Sequence, residues 1–124
     1  MNCIIVDDEP LAREAIEMLI GKIQNLVLIG SFNSATDASK FMLDNRVDLV
    51  FLNIQMSKVN GIKFAGTIPQ ETFVIFTNSL SELSNSLIKP VKLNRFQEGV
   101  DKAQIYSELL KKGKPNNTDD YFVI

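Results

Sequence analysis

Short, almost wholly apolar runs alternate along the chain with segments whose apolar residues recur at helical spacing. NCIIV (2–6), LVLIGSF (26–32), VDLVFL (47–52) and TFVIFT (72–77) are rich in β-branched and aromatic residues and too short for helices. Between them, 10–24, 35–45 and 61–68 carry helical periodicity; Ala12, Ile16, Leu19 and Ile23 mark the stripe of the first. This β-α-β-α-β-α-β order predicts a parallel sheet covered by helices on both faces. SLI (86–88), cut off by Pro90, is the candidate fifth strand. A last helix is predicted from about 92 to 112, with Leu93, Phe96, Val100 and Ala103 on one stripe.

After Lys112 the pattern changes. GKPNNTDD (113–120) is polar and turn-rich, and YFVI (121–124) starts what reads as another strand. The expected organisation is one domain over 1–112, then a linker and the start of a truncated C-terminal domain over 113–124. An ordinary C-terminal strand is the alternative.

Composition narrows the chemistry. The chain has 124 residues, 45% hydrophobic and 23% charged, which suits a single domain with a real core. No apolar run approaches the ~18 residues that a membrane span needs. The opening MNCIIVDDEP lacks a basic segment and a cleavage site, so no secretory signal is expected. The single cysteine, Cys3, rules out an intramolecular disulfide and fits a reducing, cytoplasmic setting. A net charge of −2 gives no reason to expect nucleic-acid binding by this segment itself. The absence of histidine excludes a His-based triad, a histidine metal site and a phosphohistidine donor. Carboxylates, hydroxyls and lysine remain.

Those groups fall at strand ends. Asp7 and Asp8 follow the first strand, where ligands gather in open α/β sheets. Adjacent carboxylates repel, and Mg²⁺ relieves that repulsion while keeping several waters. The plainer reading makes Asp8 a helix cap, with Pro10 in the opening turn and Glu9 facing the helix dipole. Asn53 ends the third strand, Thr77 ends the fourth, and Lys89 precedes Pro90. A hydroxyl and an ammonium at one edge can hold phosphoryl oxygens. Taken singly, Thr77 reads as a turn residue, Lys89 as a solvated lysine and VNG (59–61) as a plain turn.

Jointly, IIVDDEPLARE, LVFLNIQMSKVNG, FVIFT and IKPVKLNRF resemble the receiver domain of two-component response regulators, over nearly all of residues 2–112. VDDEPLARE, together with IQM and KVNG, resembles receivers of regulators with a LytTR-type DNA-binding domain. DYFVI after the linker is similar to the entry into that domain. The resemblance implies a flavodoxin-like, doubly wound parallel α/β sheet of order 2-1-3-4-5 with its site at the switch point. It implies Mg²⁺ held by Asp7, Asp8, Asn53 and the backbone carbonyl of Gln55, with Thr77 and Lys89 on the phosphoryl oxygens. It further implies a sensor histidine kinase as partner, DNA contact only through the C-terminal domain, no membrane association and no enzymatic turnover.

The chain departs from the family in two places. Asn53 stands at the phosphoacceptor position, where the family has aspartate. A neutral amide oxygen is a poor nucleophile toward phosphorus, so phosphorylation there is expected to be lost and Mg²⁺ binding weakened. The interval between Thr77 and Lys89 is also too short for a complete fourth helix and a fifth strand. The helix over 78–85 is therefore expected to be shortened or missing. Ser86 replaces the family's switch aromatic, Ser57 stands where proline is frequent, and Asn78 stands where a small residue is preferred. An uncovered face there predicts a homodimer whose interface includes residues between Thr77 and Pro90. The expected function is a phosphorelay receiver controlling transcription, blocked at Asn53. A phosphorylation-independent dimerisation or partner-binding module is the alternative. A haloacid-dehalogenase-like phosphatase is disfavoured, because that superfamily needs Asp-x-Asp where this chain has adjacent aspartates.

Overall fold

The computed structural model describes residues 1–56, 60–77, 90–112 and 121–123. Four strands follow the apolar runs: β1 (Asn2–Val6), β2 (Val27–Phe32), β3 (Leu49–Asn53) and β4 (Phe73–Thr77). Helices α1 (Pro10–Ile20), α2 (Ala35–Asp44) and α3 (Gly61–Ala65) alternate with them, α4 (Pro90–Lys111) follows, and β5 (Tyr121–Val123) completes the described chain. All five strands are parallel, in the order β2-β1-β3-β4-β5.

The sheet is doubly wound because alternate strand residues feed two separate cores. Cys3, Ile5, Leu49, Phe51, Phe73 and Ile75 point toward α1 and α4, and Ile4, Val6, Val50, Leu52, Val74 and Phe76 toward α2 and α3. The predicted stripes face the core: Ala12, Ile16, Leu19 and Ile23 on the α1 side are buried, as are Phe96, Val100 and Ala103 on α4, while Leu93 at its start is only partly buried. Phe96 stacks on Phe51 with ring centroids 5.0 Å apart. Burial pushes the Cys3 thiol up to about 12, so it is an inert core residue.

Boundaries differ from the periodicity in explicable ways. α1 stops at Ile20, beyond which the chain tightens into i→i+3 turns, Lys22 N–H donating to the Leu19 carbonyl and Ile23 N–H to that of Ile20, although Ile23 still packs in the core. Likewise α3 ends at Ala65 rather than 68, as Thr67 and Ile68 donate to the Phe64 and Ala65 carbonyls in i→i+3 turns. The last helix opens at Pro90, where proline forfeits no helical hydrogen bond.

The larger difference concerns the fifth strand of the sheet. Tyr121–Val123, expected to open a further domain, pairs in parallel with Val74–Phe76 and fills the fifth sheet position. The physical reason is Phe122: its ring is buried against Gly99 and Ile75, and an added Cβ at Gly99 would lie 2.8 Å from it. Arg95 closes over the same ring at 4.0 Å and donates to the Val123 carbonyl at 2.9 Å. The expected strand over 86–88 and the shortened helix over 78–85 lie outside the described residues. Beside α3, an open groove of about 410 Å³ is lined by Ile54, Ile62, Ala65, Ile68, Val74, Phe76 and Val123, among others.

Candidate phosphoryl and metal site at the carboxyl edge

Parallel pairing brings the strand ends together. β1 lies beside β3, with Val6 opposite Leu52, and β3 lies beside β4, with Asn53 opposite Thr77. Asp7, the residue after β1, therefore meets Asn53 and Thr77 at one edge although they are far apart in sequence. All three are buried, at 1%, 4% and 1% exposure.

Asp7 and Asn53 are joined directly. Asn53 Nδ2 donates to Asp7 Oδ1 at 3.2 Å, and the Glu9 backbone N–H donates to the same oxygen at 2.9 Å. Asn53 Oδ1 in turn accepts the Gln55 N–H at 3.1 Å. The amide answering the acidic edge is thus spent at both ends on holding it closed. Asp7 Oδ2 is buried with no hydrogen-bond partner among the described residues. A buried, unpartnered carboxylate oxygen is costly, and a cation is the ligand that would satisfy it. Asp7, Asp8 and Glu9 each offer an oxygen within 4.8 Å of the others. This donor set suits a hard, oxygen-seeking cation such as Mg²⁺.

The helix-cap reading needs adjustment. The N-cap of α1 is Glu9, whose side chain makes no capping bond, while Pro10 opens the helix as expected. It is Asp7 that accepts the Glu9 N–H, so Asp7 serves the helix start and the site together.

On the β3–α3 side, Gln55 forms an antiparallel bridge with Asn60, and Asn60 caps α3 by accepting the Ile62 N–H at 2.9 Å. Gly61 is required by the close approach of two backbones: an added Cβ would collide with the Asn53 carbonyl oxygen and lie 2.7 Å from that of Ile54. This fold-back fixes where the Gln55 backbone lies. Lys89 lies outside the described residues. The sequence reading missed Arg13, which reaches back from α1 and donates from Nη1 to the Asp7 carbonyl at 2.7 Å. Its position in the second turn of an amphipathic helix gave no signal of that contact.

Burial raises the Asp7 carboxyl above its usual range, and the charges of Glu9 and Asp8 add to this; the Glu9 N–H and Asn53 amide oppose it. A raised folded value means the protonated form favours folding. That contribution is full below the unfolded value near 3.8 and is lost as pH rises through the folded value. Asp7→Asn is accordingly expected to stabilise the metal-free protein at pH 7 by about 1–2 kcal/mol, removing the buried charge at the cost of one unpaired amide donor. Thermal denaturation with chelator checks this, and the gain should shrink as pH falls. A less stable variant at pH 7 would show that the carboxylate is fully compensated.

A family model described as the response regulator receiver domain matches residues 3–88. The transcriptional regulatory protein YpdB of Escherichia coli K12 is 34% identical over 85 residues, covering 66% of this chain and 35% of YpdB. The chain thus spans about a third of that relative. The solved response regulatory domain of MrkE from Klebsiella pneumoniae superposes with a TM-score of 0.68 at 27% identity, covering 87% of this chain and 98% of that one. The response regulator TrrA of Thermotoga maritima, in complex with Mg²⁺–BeF, shares the fold at a TM-score of 0.65 and 23% identity, over 82% of this chain and 97% of that one.

Proposed function

This chain belongs to the response regulator receiver family, and we propose that it is the input domain of a two-component transcriptional regulator that cannot be phosphorylated at Asn53. The observation that carries this reading is the Asn53 amide, buried at the acceptor position and hydrogen-bonded to Asp7. Forming an acyl phosphate requires a carboxylate oxygen to attack phosphorus while the donor's leaving group departs. The amide offers no such nucleophile at neutral pH.

The remaining site residues fit the rest of the chemistry. Asp7, whose Oδ2 has no hydrogen-bond partner among the described residues, and Asp8 would hold Mg²⁺ together with Asn53 and the Gln55 carbonyl. When bound, the ion would neutralise the edge and attract phosphoryl oxygens. Thr77, set in register with Asn53, is assigned to one such oxygen; Lys89 is assigned to another from the sequence. A sensor histidine kinase as partner, a LytTR-type DNA-binding domain elsewhere in the parent protein, a homodimer and a cytoplasmic location belong to the same proposal. Among the described residues, no helix is long and apolar enough to cross a membrane.

A second reading, a receiver that signals through contacts alone, is favoured by one observation. The Asn53–Asp7 hydrogen bond itself ties the ends of β1 and β3 together at the site.

Calorimetric titration with Mg²⁺ tests the metal assignment. Binding is expected to be weak in the unaltered protein and to disappear in Asp8→Ala. An unchanged titration in Asp8→Ala would reduce the acidic run to a helix start.

A further inference from the structure

Arg13 sits in the second turn of α1, half-buried, yet its side chain folds back past the N-cap to the Asp7 carbonyl. A cation is disfavoured there, because the helix N-terminus already carries partial positive charge. The neighbouring carboxylates of Asp7, Asp8 and Glu9, clustered within 4.8 Å, offset that penalty. The contact at 2.7 Å is short for a neutral hydrogen bond and normal for a charge-assisted one.

We propose that Arg13 is the charge-setting and positioning residue of the metal subsite: its guanidinium, anchored on the Asp7 carbonyl, serves as a permanent counter-charge that holds divalent-cation affinity down. This rests on the acidic edge being a divalent site, as proposed above. The edge has three carboxylates and the neutral Asn53, and Arg13 supplies one positive charge on the β1–α1 side. An incoming dication therefore meets a smaller net negative charge as well as a fixed positive one. The guanidinium stays charged across the accessible pH range, so this counter-charge cannot be titrated away.

The two roles separate in experiment. A purely structural Arg13, acting only by fixing the Asp7 backbone, would lose metal affinity on any substitution. A charge-setting Arg13 gains affinity when neutralised and keeps it low when replaced by lysine. Calorimetric Mg²⁺ titrations of the unaltered protein, Arg13→Gln, Arg13→Lys and Asn53→Asp decide between them. Arg13→Gln is expected to bind Mg²⁺ roughly five- to twentyfold more tightly at low ionic strength, with the gain shrinking at high salt, whereas Arg13→Lys stays near the unaltered protein. Unchanged or weaker binding by Arg13→Gln, beside measurable binding by the unaltered protein or Asn53→Asp, overturns the inference and leaves the metal site standing. No binding by any of the four overturns the metal site, and the inference with it.

Discussion

Asn53→Asp is expected to turn a protein inert toward acetyl phosphate into one that gains a phosphoryl group in the presence of Mg²⁺. The substitution exchanges Nδ2, which donates to Asp7 Oδ1 at 3.2 Å, for a carboxylate oxygen. That oxygen can attack phosphorus as the bond to the acetate leaving group breaks, and the Gln55 N–H is already placed on the other oxygen at 3.1 Å. The exchange has a cost. Two ionised carboxylates about 3–4 Å apart repel by several kcal/mol at the effective dielectric of a protein surface, roughly 4 kcal/mol at 4 Å. Protonation or a bound cation relieves most of that, so a net loss of about 1–3 kcal/mol is expected without metal. Mg²⁺ should restore the stability, since a ligand of the native state stabilises by mass action. Intact-mass measurement after incubation with acetyl phosphate and Mg²⁺, with thermal denaturation in parallel, reads both effects. A stable adduct on the unaltered protein at Asn53 or a neighbouring acid would remove the basis of the proposed function.

The positions of Asp7, Asn53 and Thr77 were legible in the sequence because each ends an apolar run, and parallel strands deliver their ends to one edge. The register of Asn53 with Thr77 is what that pattern requires. The inner helical faces were legible for a similar reason, since Ile16 and Phe96 recur at helical spacing with their neighbours. Contacts made by a side chain that turns back along its own helix were not. Arg13 reads as a surface residue in any periodicity and declares itself only where its guanidinium meets the Asp7 carbonyl. The start of α1 at Pro10 was legible, but its cap was not, because Asp8 and Glu9 are both plausible at the end of an extended segment. Backbone dihedrals place the cap at Glu9. The fifth strand was hidden more deeply. Tyr121–Val123 follows a long polar stretch and resembles a fresh beginning, and only the space left by Gly99 shows that Phe122 belongs to this core.

Phe122→Ala is expected to release β5 while leaving the rest of the sheet folded. The strand has three residues and lies at the sheet edge, so side-chain packing rather than ladder hydrogen bonding must hold it. On the α4 face that packing passes through one ring, 6% exposed, set against Gly99 and covered by Arg95, while Val123 packs only partly buried against the other core. Truncating a buried phenylalanine to alanine typically costs about 3–5 kcal/mol when the surroundings stay in place. A short edge strand need not stay in place: once the loss exceeds its docking free energy, it detaches and the global penalty stops growing. The expected signature is therefore uneven. Hydrogen exchange at 121–123 should rise to that of open chain, while β1, buried beyond Asn2, and β3, buried throughout, keep their protection; global stability should fall by about 2–3 kcal/mol, below the full cavity cost. Gly99→Val, which drives a side chain into the place of the ring, should produce the same pattern from the opposite side of the contact. Loss of Arg95 alone, as Arg95→Met, should cost about 1 kcal/mol, the scale of one cation–π contact and one exposed hydrogen bond. If Phe122→Ala leaves both exchange and stability unchanged, Tyr121–Val123 is not the fifth strand, and the sheet edge beside β4 is filled by another segment.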